Sequence, residues 1–256
     1  MAKTIKIGQI ALSFHRASAQ YVANVLIERG YKVGIQEATH ETAFNMLQNG
    51  EIDILVSAWL PHSHGKYLDP FIDDVIQSGI IYNPYCIWGV PDYVESSFTS
   101  NVEDLKKADV LQVIDKQIFC INPGAGISRF SQEILEKYQL NKLGYTITNL
   151  PEDDYFAYIE KSISQKKVFV IPFWQPQFLH YKHHLRELSE PYGLLRSEDK
   201  ATLLIRKDAV SKLDAETLEI LKNNHIGNKR ISALDYLLHV EKREIADALK
   251  YINQIK

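Results

Sequence analysis

Apolar and polar positions alternate through Thr4, Ile5, Lys6 and Ile7, and that period of two predicts a strand over Lys3 to Gln9. From Ala17 to Arg29 the apolar residues move to helical spacing, and Gly30 follows where a glycine would close an amphipathic helix. Tyr31 to Glu37 returns to a strand pattern, so the chain opens on a βαβ unit. A second helix is predicted over Thr42 to Asn49, ended by Gly50, and the apolar run Ile52 to Val56 reads as a buried strand. Strands alternating with helices in this order, the third of them almost wholly apolar, indicate parallel α/β architecture.

The pattern changes beyond Pro91. Helices are predicted over Val102–Ala108, Ile127–Tyr138 and Asp153–Ser164, and strands over Gln117–Asn122 and Lys167–Phe173. A strand at Ala201–Arg206 and three helical segments complete the chain. No repeat or flexible linker separates the two halves. The expectation is therefore two lobes, residues 1–90 with about 195–256 and residues about 91–194, joined by extended crossings with a ligand cleft between them.

Ligands of open α/β sheets bind beyond the carboxyl ends of strands, which directs attention to three loops. Asn122-Pro123-Gly124-Ala125-Gly126-Ile127-Ser128 leads into a helix whose free N–H groups would suit a carboxylate or phosphate, although it lacks the Gly-Lys-Ser/Thr of a nucleotide loop. Ser57-Ala58-Trp59-Leu60-Pro61-His62-Ser63-His64 offers an aromatic ring and a histidine donor. Phe173-Trp174-Gln175-Pro176 offers a second ring. Two tryptophans at the cleft would enclose a cation, each well-placed ring contributing about 0.5–2 kcal/mol. Trp88, inside a strand run, reads as core.

Composition narrows the field. A formal net charge of −3 with both signs interspersed gives no footprint for nucleic acid or an anionic membrane surface. No run approaches the ~20 apolar residues of a membrane span. The N-terminus enters a strand pattern at once, without the charged and apolar regions of a signal peptide. Cys86 and Cys120 lack metal or redox spacing and read as small buried residues. His62 and His64, or the trio His180, His183 and His184, have too few co-ligands at suitable spacing, so no metal is expected. Asp73-Asp74 and Asp153-Asp154 read as helix-start acids. No nucleophile elbow, His-Glu-x-x-His or Rossmann fingerprint occurs, so neither a catalytic constellation nor a cofactor is expected.

Taken in order, "DILVSAWLPHSH", "INPGAGIS", "FWQPQF" and "HLREL" resemble the glycine betaine/proline betaine-binding proteins of ABC importers. The resemblance runs through most of the chain. It implies a two-lobed type II periplasmic-binding fold, no enzymatic activity, and a monomer that hands a small zwitterionic or cationic solute to a permease. It implies a periplasmic or cell-surface location, with a cytoplasmic one left open by the missing signal segment. It further implies that the Gly126 and Ile127 N–H groups and His64 bind the solute carboxylate, while Trp59 and Trp174 wall the quaternary ammonium. Leu12 and Ala125 stand where the family pattern carries a third tryptophan, and Phe14 and His15 are the candidate substitutes. With one ring fewer, a carboxylate or amino-acid-like solute is the alternative ligand.

Overall fold

A computed structural model describes residues 3–255. The chain begins with β1 (Thr4–Ile10), α1 (Ser13–Glu28), β2 (Lys32–Ala38), α2 (His40–Gln48), β3 (Ile54–Leu60) and β4 (Val75–Tyr82). Gly30 and Gly50 both adopt positive φ, +86° and +77°, and close α1 and α2 where glycine has no Cβ to strain. The following stretch holds β5 (Tyr85–Pro91), β6 (Gln117–Cys120), α3 (Gly126–Lys137), β7 (Thr146–Asn149), α4 (Glu152–Ser164), β8 (Ile171–Gln175) and β9 (Leu185–Glu187). Then come β10 (Lys200–Arg206), α5 (Ala215–Asn223), α6 (Asn228–Asp235) and α7 (Ile245–Ile252).

The chain forms two compact units. The first comprises residues 1–84, 176–181 and 199–256, and the second residues 85–175 and 182–198. These limits differ from those expected, because residues 176–181 return to the first unit. The backbone N–H of Phe178 donates to Asp235 Oδ2 at 3.1 Å and that of Gln177 to Ser232 Oγ at 3.1 Å, which ties the segment to α6.

The first unit is built on a five-stranded sheet of order β2-β1-β3-β10-β4. β1, β2 and β3 are parallel, as their pattern predicts, but β10 runs antiparallel to both β3 and β4. The sheet is therefore mixed, a correction to the parallel reading, since a strand entering from the far end of the chain carries no direction in its periodicity. In the second unit β8 and β9 flank β5, both antiparallel to it, while β6 and β7 form a parallel pair. All seven residues of β3 are buried, and α1 packs on this sheet through Phe14, Ala19, Val22 and Leu26. Asp153 and Asp154 do lie in the first turn of α4, whereas Asp73 and Asp74 end a short 3-10 helix and start none. Among the described residues no helix is long and apolar enough to cross a membrane.

Candidate functional site

In the first unit, the carboxyl ends of the parallel strands carry the predicted residues. Trp59 is not beyond β3, as its sequence context suggests, but is the second-last residue within it, 5% exposed. The misreading arises at Ser57, a polar residue that looks like a strand break. Ser57 instead adopts φ +67°, a left-handed conformation that costs an L-residue about 1–2 kcal/mol, and the strand resumes after it. Strain of this kind persists where surrounding contacts hold it, and concentrates at functional sites.

Those contacts are specific. Ser57 Oγ shares a short hydrogen bond with the Tyr82 hydroxyl and lies 2.9 Å from His15 Nδ1. Tyr82 Oη also accepts from Trp59 Nε1 at 3.0 Å. Burial pushes the Tyr82 phenol up to about 12, so it stays a neutral donor and acceptor. One hydroxyl pair thus fixes both the Trp59 indole and the His15 imidazole.

His64 is fixed from the other side. The Trp59 backbone N–H donates to His64 Nδ1 at 2.9 Å, and the His64 N–H donates back to the Trp59 carbonyl at 2.9 Å. The imidazole stacks on the indole, with centroids 6.1 Å apart and planes 23° apart. Buried Asp199 accepts from the backbone N–H of His62 at 2.7 Å and of Ser63 at 3.0 Å, holding the turn that carries His64. Phe14 and His15 approach the Trp59 ring at 5.1 and 5.7 Å. Leu12 is buried and sits just before α1 in extended conformation.

His62 is exposed whereas His64 is buried, so the His-x-His pair does not converge. His183 bonds Glu160 Oε2 at 2.8 Å. The structure instead gathers His15, His40 and His64, all buried, with one ring nitrogen of each within 4.8 Å of the others. Sequence reasoning missed His40, along with Ser57, Tyr82 and Asp199. The available signal was position, because His40 opens α2 directly beyond the carboxyl end of β2. Burial first, and neighbouring His40 second, hold the His15 imidazole well below its usual range, so it is neutral.

In the second unit, Trp174 lies inside β8, paired with Cys86 of β5, and not beyond the strand. It is 1% exposed and stacks on Tyr155 with centroids 6.1 Å apart and planes 16° apart. Ala125 caps α3 in extended conformation, and Gly126 and Ile127 are its first two residues, where backbone N–H groups lack partners within the helix. The loop is braced by Ser128 Oγ donating to the Ile121 carbonyl at 3.0 Å. Trp88 is fully buried and donates to Ser131 Oγ at 2.8 Å, in keeping with its core reading.

The chain is similar over 98% of its length to lactococcal OpuAC in its closed, glycine betaine-bound conformation, with a TM-score of 0.83, 23% identity and 94% of that chain covered. It is equally similar, at TM-score 0.83 and 21% identity, to the glycine betaine/L-proline-binding protein ProX of Borrelia burgdorferi, with 99% of this chain and 94% of that one covered. Both units thus have the α/β fold of type II periplasmic binding proteins. Residues 3–252 match the model of the substrate-binding domain of ABC-type glycine betaine transport systems, and the chain belongs to that family. A curated relative, the DNA mismatch repair protein MutS of Streptococcus pyogenes, is 26% identical over 243 residues, covering 89% of this chain. The chain spans about a quarter of the length of the curated relatives it matches, 25% in that case.

Proposed function

We propose that this chain is the non-enzymatic solute-binding component of an ABC importer, taking glycine betaine or a related quaternary-ammonium zwitterion. It acts outside the cytoplasm, at the cell surface or in the periplasm, and delivers the solute to a permease. The observation that carries the reading is the held pair of Trp59 and His64. A backbone N–H directed at His64 Nδ1 leaves the proton of a neutral imidazole on Nε2, where it serves a carboxylate. The indole stacked beside it supplies the π face that a quaternary ammonium needs. The same solute is assigned Phe14 and His15 of the first unit. Within the second unit, Trp174, the Gly126 and Ile127 N–H groups and Ala125 are proposed as solute contacts, and within the first unit Leu12, by the family pattern alone.

Isothermal calorimetry with glycine betaine, proline betaine, choline and carnitine tests the assignment. The expected result is binding of at least one betaine, weakened about tenfold or more by Trp59→Ala, which is the loss of roughly 1.4 kcal/mol of ring contact. Because removing a buried indole also destabilises the fold, Trp59→Phe is the companion variant, keeping a ring and a measurable part of the affinity. No binding below millimolar concentration, with Trp59→Ala unchanged from the parent, would sink the proposal.

A second reading has one observation in its favour. His15 is a buried polar ring beside Trp59, and a carboxylate or amino-acid-like solute with an acceptor at that point would use its ring N–H where a trimethylammonium group would not.

A further inference from the structure

Three buried imidazoles whose nitrogens lie within 4.8 Å of one another first suggest a transition-metal site. The hydrogen bonding of His64 argues against that. Its Nδ1 faces the Trp59 backbone N–H at 2.9 Å and must keep its lone pair, so Nε2 carries the proton and has none to give a metal. Metal-bound histidines show the reverse, with the remote nitrogen protonated and donating to a carbonyl or carboxylate. His64 therefore brings a donor to the cluster.

His15 can bring a second. Its Nδ1 meets Ser57 Oγ, which meets the Tyr82 hydroxyl, which accepts from Trp59 Nε1. Donors running from Trp59 to Tyr82, Tyr82 to Ser57 and Ser57 to His15 Nδ1 satisfy each of these atoms and put the His15 proton on Nε2. His40 completes the group, edge-on to His64 at 5.1 Å and to His15 at 6.4 Å between centroids. Imidazole N–H groups gathered at a buried point are recognition chemistry for an oxyanion.

We propose that His15 and His40 join His64 in receiving the acidic group of the solute, and that entry of this oxyanion draws a proton onto the cluster. In the empty cluster, burial and the neighbouring His40 ring oppose protonation of His15. An oxyanion within about 4–6 Å reverses the balance, because it favours the charged form. The bound state then holds more protons than the free state. By linkage, affinity rises as pH falls toward the free-state range and levels off below it.

Other groups near the cluster do not supply this proton. Tyr67 has its ring 6.5 Å from that of His64, and Tyr82, reached through Ser57, is held as a neutral phenol by burial. The charged residues on the supporting elements include Arg16 on α1, Glu37 on β2, Glu41 on α2, Asp199 behind the His64 turn, and Asp235, whose charge acts on Tyr82, while Glu28 and Lys32 lie at the far ends of α1 and β2. Arg16 and Glu37 already pair with each other at 2.6 Å, and Asp199 is engaged by backbone N–H groups.

The inference rests on the solute-binding reading only in taking the ligand to carry an acidic group. Calorimetry of the full chain with glycine betaine, in phosphate and in Tris between about pH 6 and about pH 8, reads proton uptake directly. Uptake approaching one proton per solute is expected, with affinity rising severalfold to about tenfold toward the acid end. Choline, which has no acidic group, is expected to bind with neither effect. His40→Gln should abolish the uptake and weaken glycine betaine about tenfold while leaving choline unchanged. If that variant does not fold, the parent measurement decides alone.

Nitrogen-15 NMR of the imidazoles, with sodium acetate against sodium chloride, separates the two readings. Acetate-specific shifts at all three rings without betaine binding would uphold the receptor and end the betaine assignment. Betaine binding with no proton uptake and no effect of His40→Gln would overturn the receptor and leave the importer reading standing. Stoichiometric zinc binding that His40→Gln abolishes would also overturn it.

Discussion

At the scale of single residues, Ser57 does two jobs that pull apart under substitution. Its hydroxyl joins Tyr82 to His15, and its backbone pays for that position with a φ of +67°. Ser57→Ala removes the hydroxyl and keeps the strain; Ser57→Gly removes both, at the usual entropic cost of glycine. Ser57→Gly is therefore expected to be the more stable of the two by about 0.5–1 kcal/mol in denaturant unfolding. Both should bind solute less well, since His15 and Trp59 lose their shared anchor. Tyr82→Phe makes the complementary test, because it leaves the buried Trp59 Nε1–H without its acceptor. A stability loss of about 1–3 kcal/mol is expected from that orphaned donor. Equal stabilities for the two Ser57 variants would mean that the backbone there relaxes at no cost.

At the scale of elements, α5 shows how a boundary is set by one side chain. Asp214 precedes the helix in extended conformation, and its Oδ1 accepts from the Thr217 N–H at 2.7 Å while Oδ2 accepts from the Tyr31 hydroxyl at 2.7 Å. Those hydrogen bonds, the Thr217 N–H first, hold its carboxyl down at about 2. A depressed folded-state value contributes stability above the unfolded value of about 3.9, and that stability is lost as pH falls toward about 2. Asp214→Asn keeps an acceptor and should flatten the acid limb of the stability curve. Asp214→Ala should lower the melting temperature by roughly 2–4 °C near pH 7. Caps and periodicities of this local kind were readable in the sequence, which is why β1, α1, β2, α2, α3 and α4 lie within a few residues of their expected bounds. Pairings between distant segments were not. β10 and β8 look like any buried strand, and nothing in their periodicity says that they run antiparallel to β3 and β5. The histidine cluster was hidden for the same reason, since residues 15, 40 and 64 have no ligand spacing and meet only because parallel strands end side by side.

At the scale of the whole molecule, the first unit depends on chain that arrives after the second unit is complete. β10 lies between β3 and β4 and is bonded to both. Just before it, Asp199 accepts from the N–H groups of His62 and Ser63 while its own N–H donates to the Pro84 carbonyl at 2.8 Å. One late segment thus completes the sheet and braces the turn carrying His64. A chain ending at residue 198 would leave β3, buried along its whole length, as an open edge strand, an arrangement that invites aggregation. Such a truncation is expected to lose the near-ultraviolet circular dichroism of the first unit and all solute binding. Asp199→Ala in the full chain isolates the bracing role. It should leave the sheet folded with a moderate stability loss, about 1–3 kcal/mol for the buried N–H groups left unpaired. Its affinity for the solute should fall further than the general destabilisation explains, because the turn no longer presents His64. Thermal shift separates the two effects: a parent protein at a hundredfold excess of solute over Kd gains about 2.7 kcal/mol from binding alone. A variant whose melting temperature is lowered but whose solute-induced shift matches the parent would confine Asp199 to the fold. A diminished shift would tie the strand that closes the sheet to the solute contact proposed at His64.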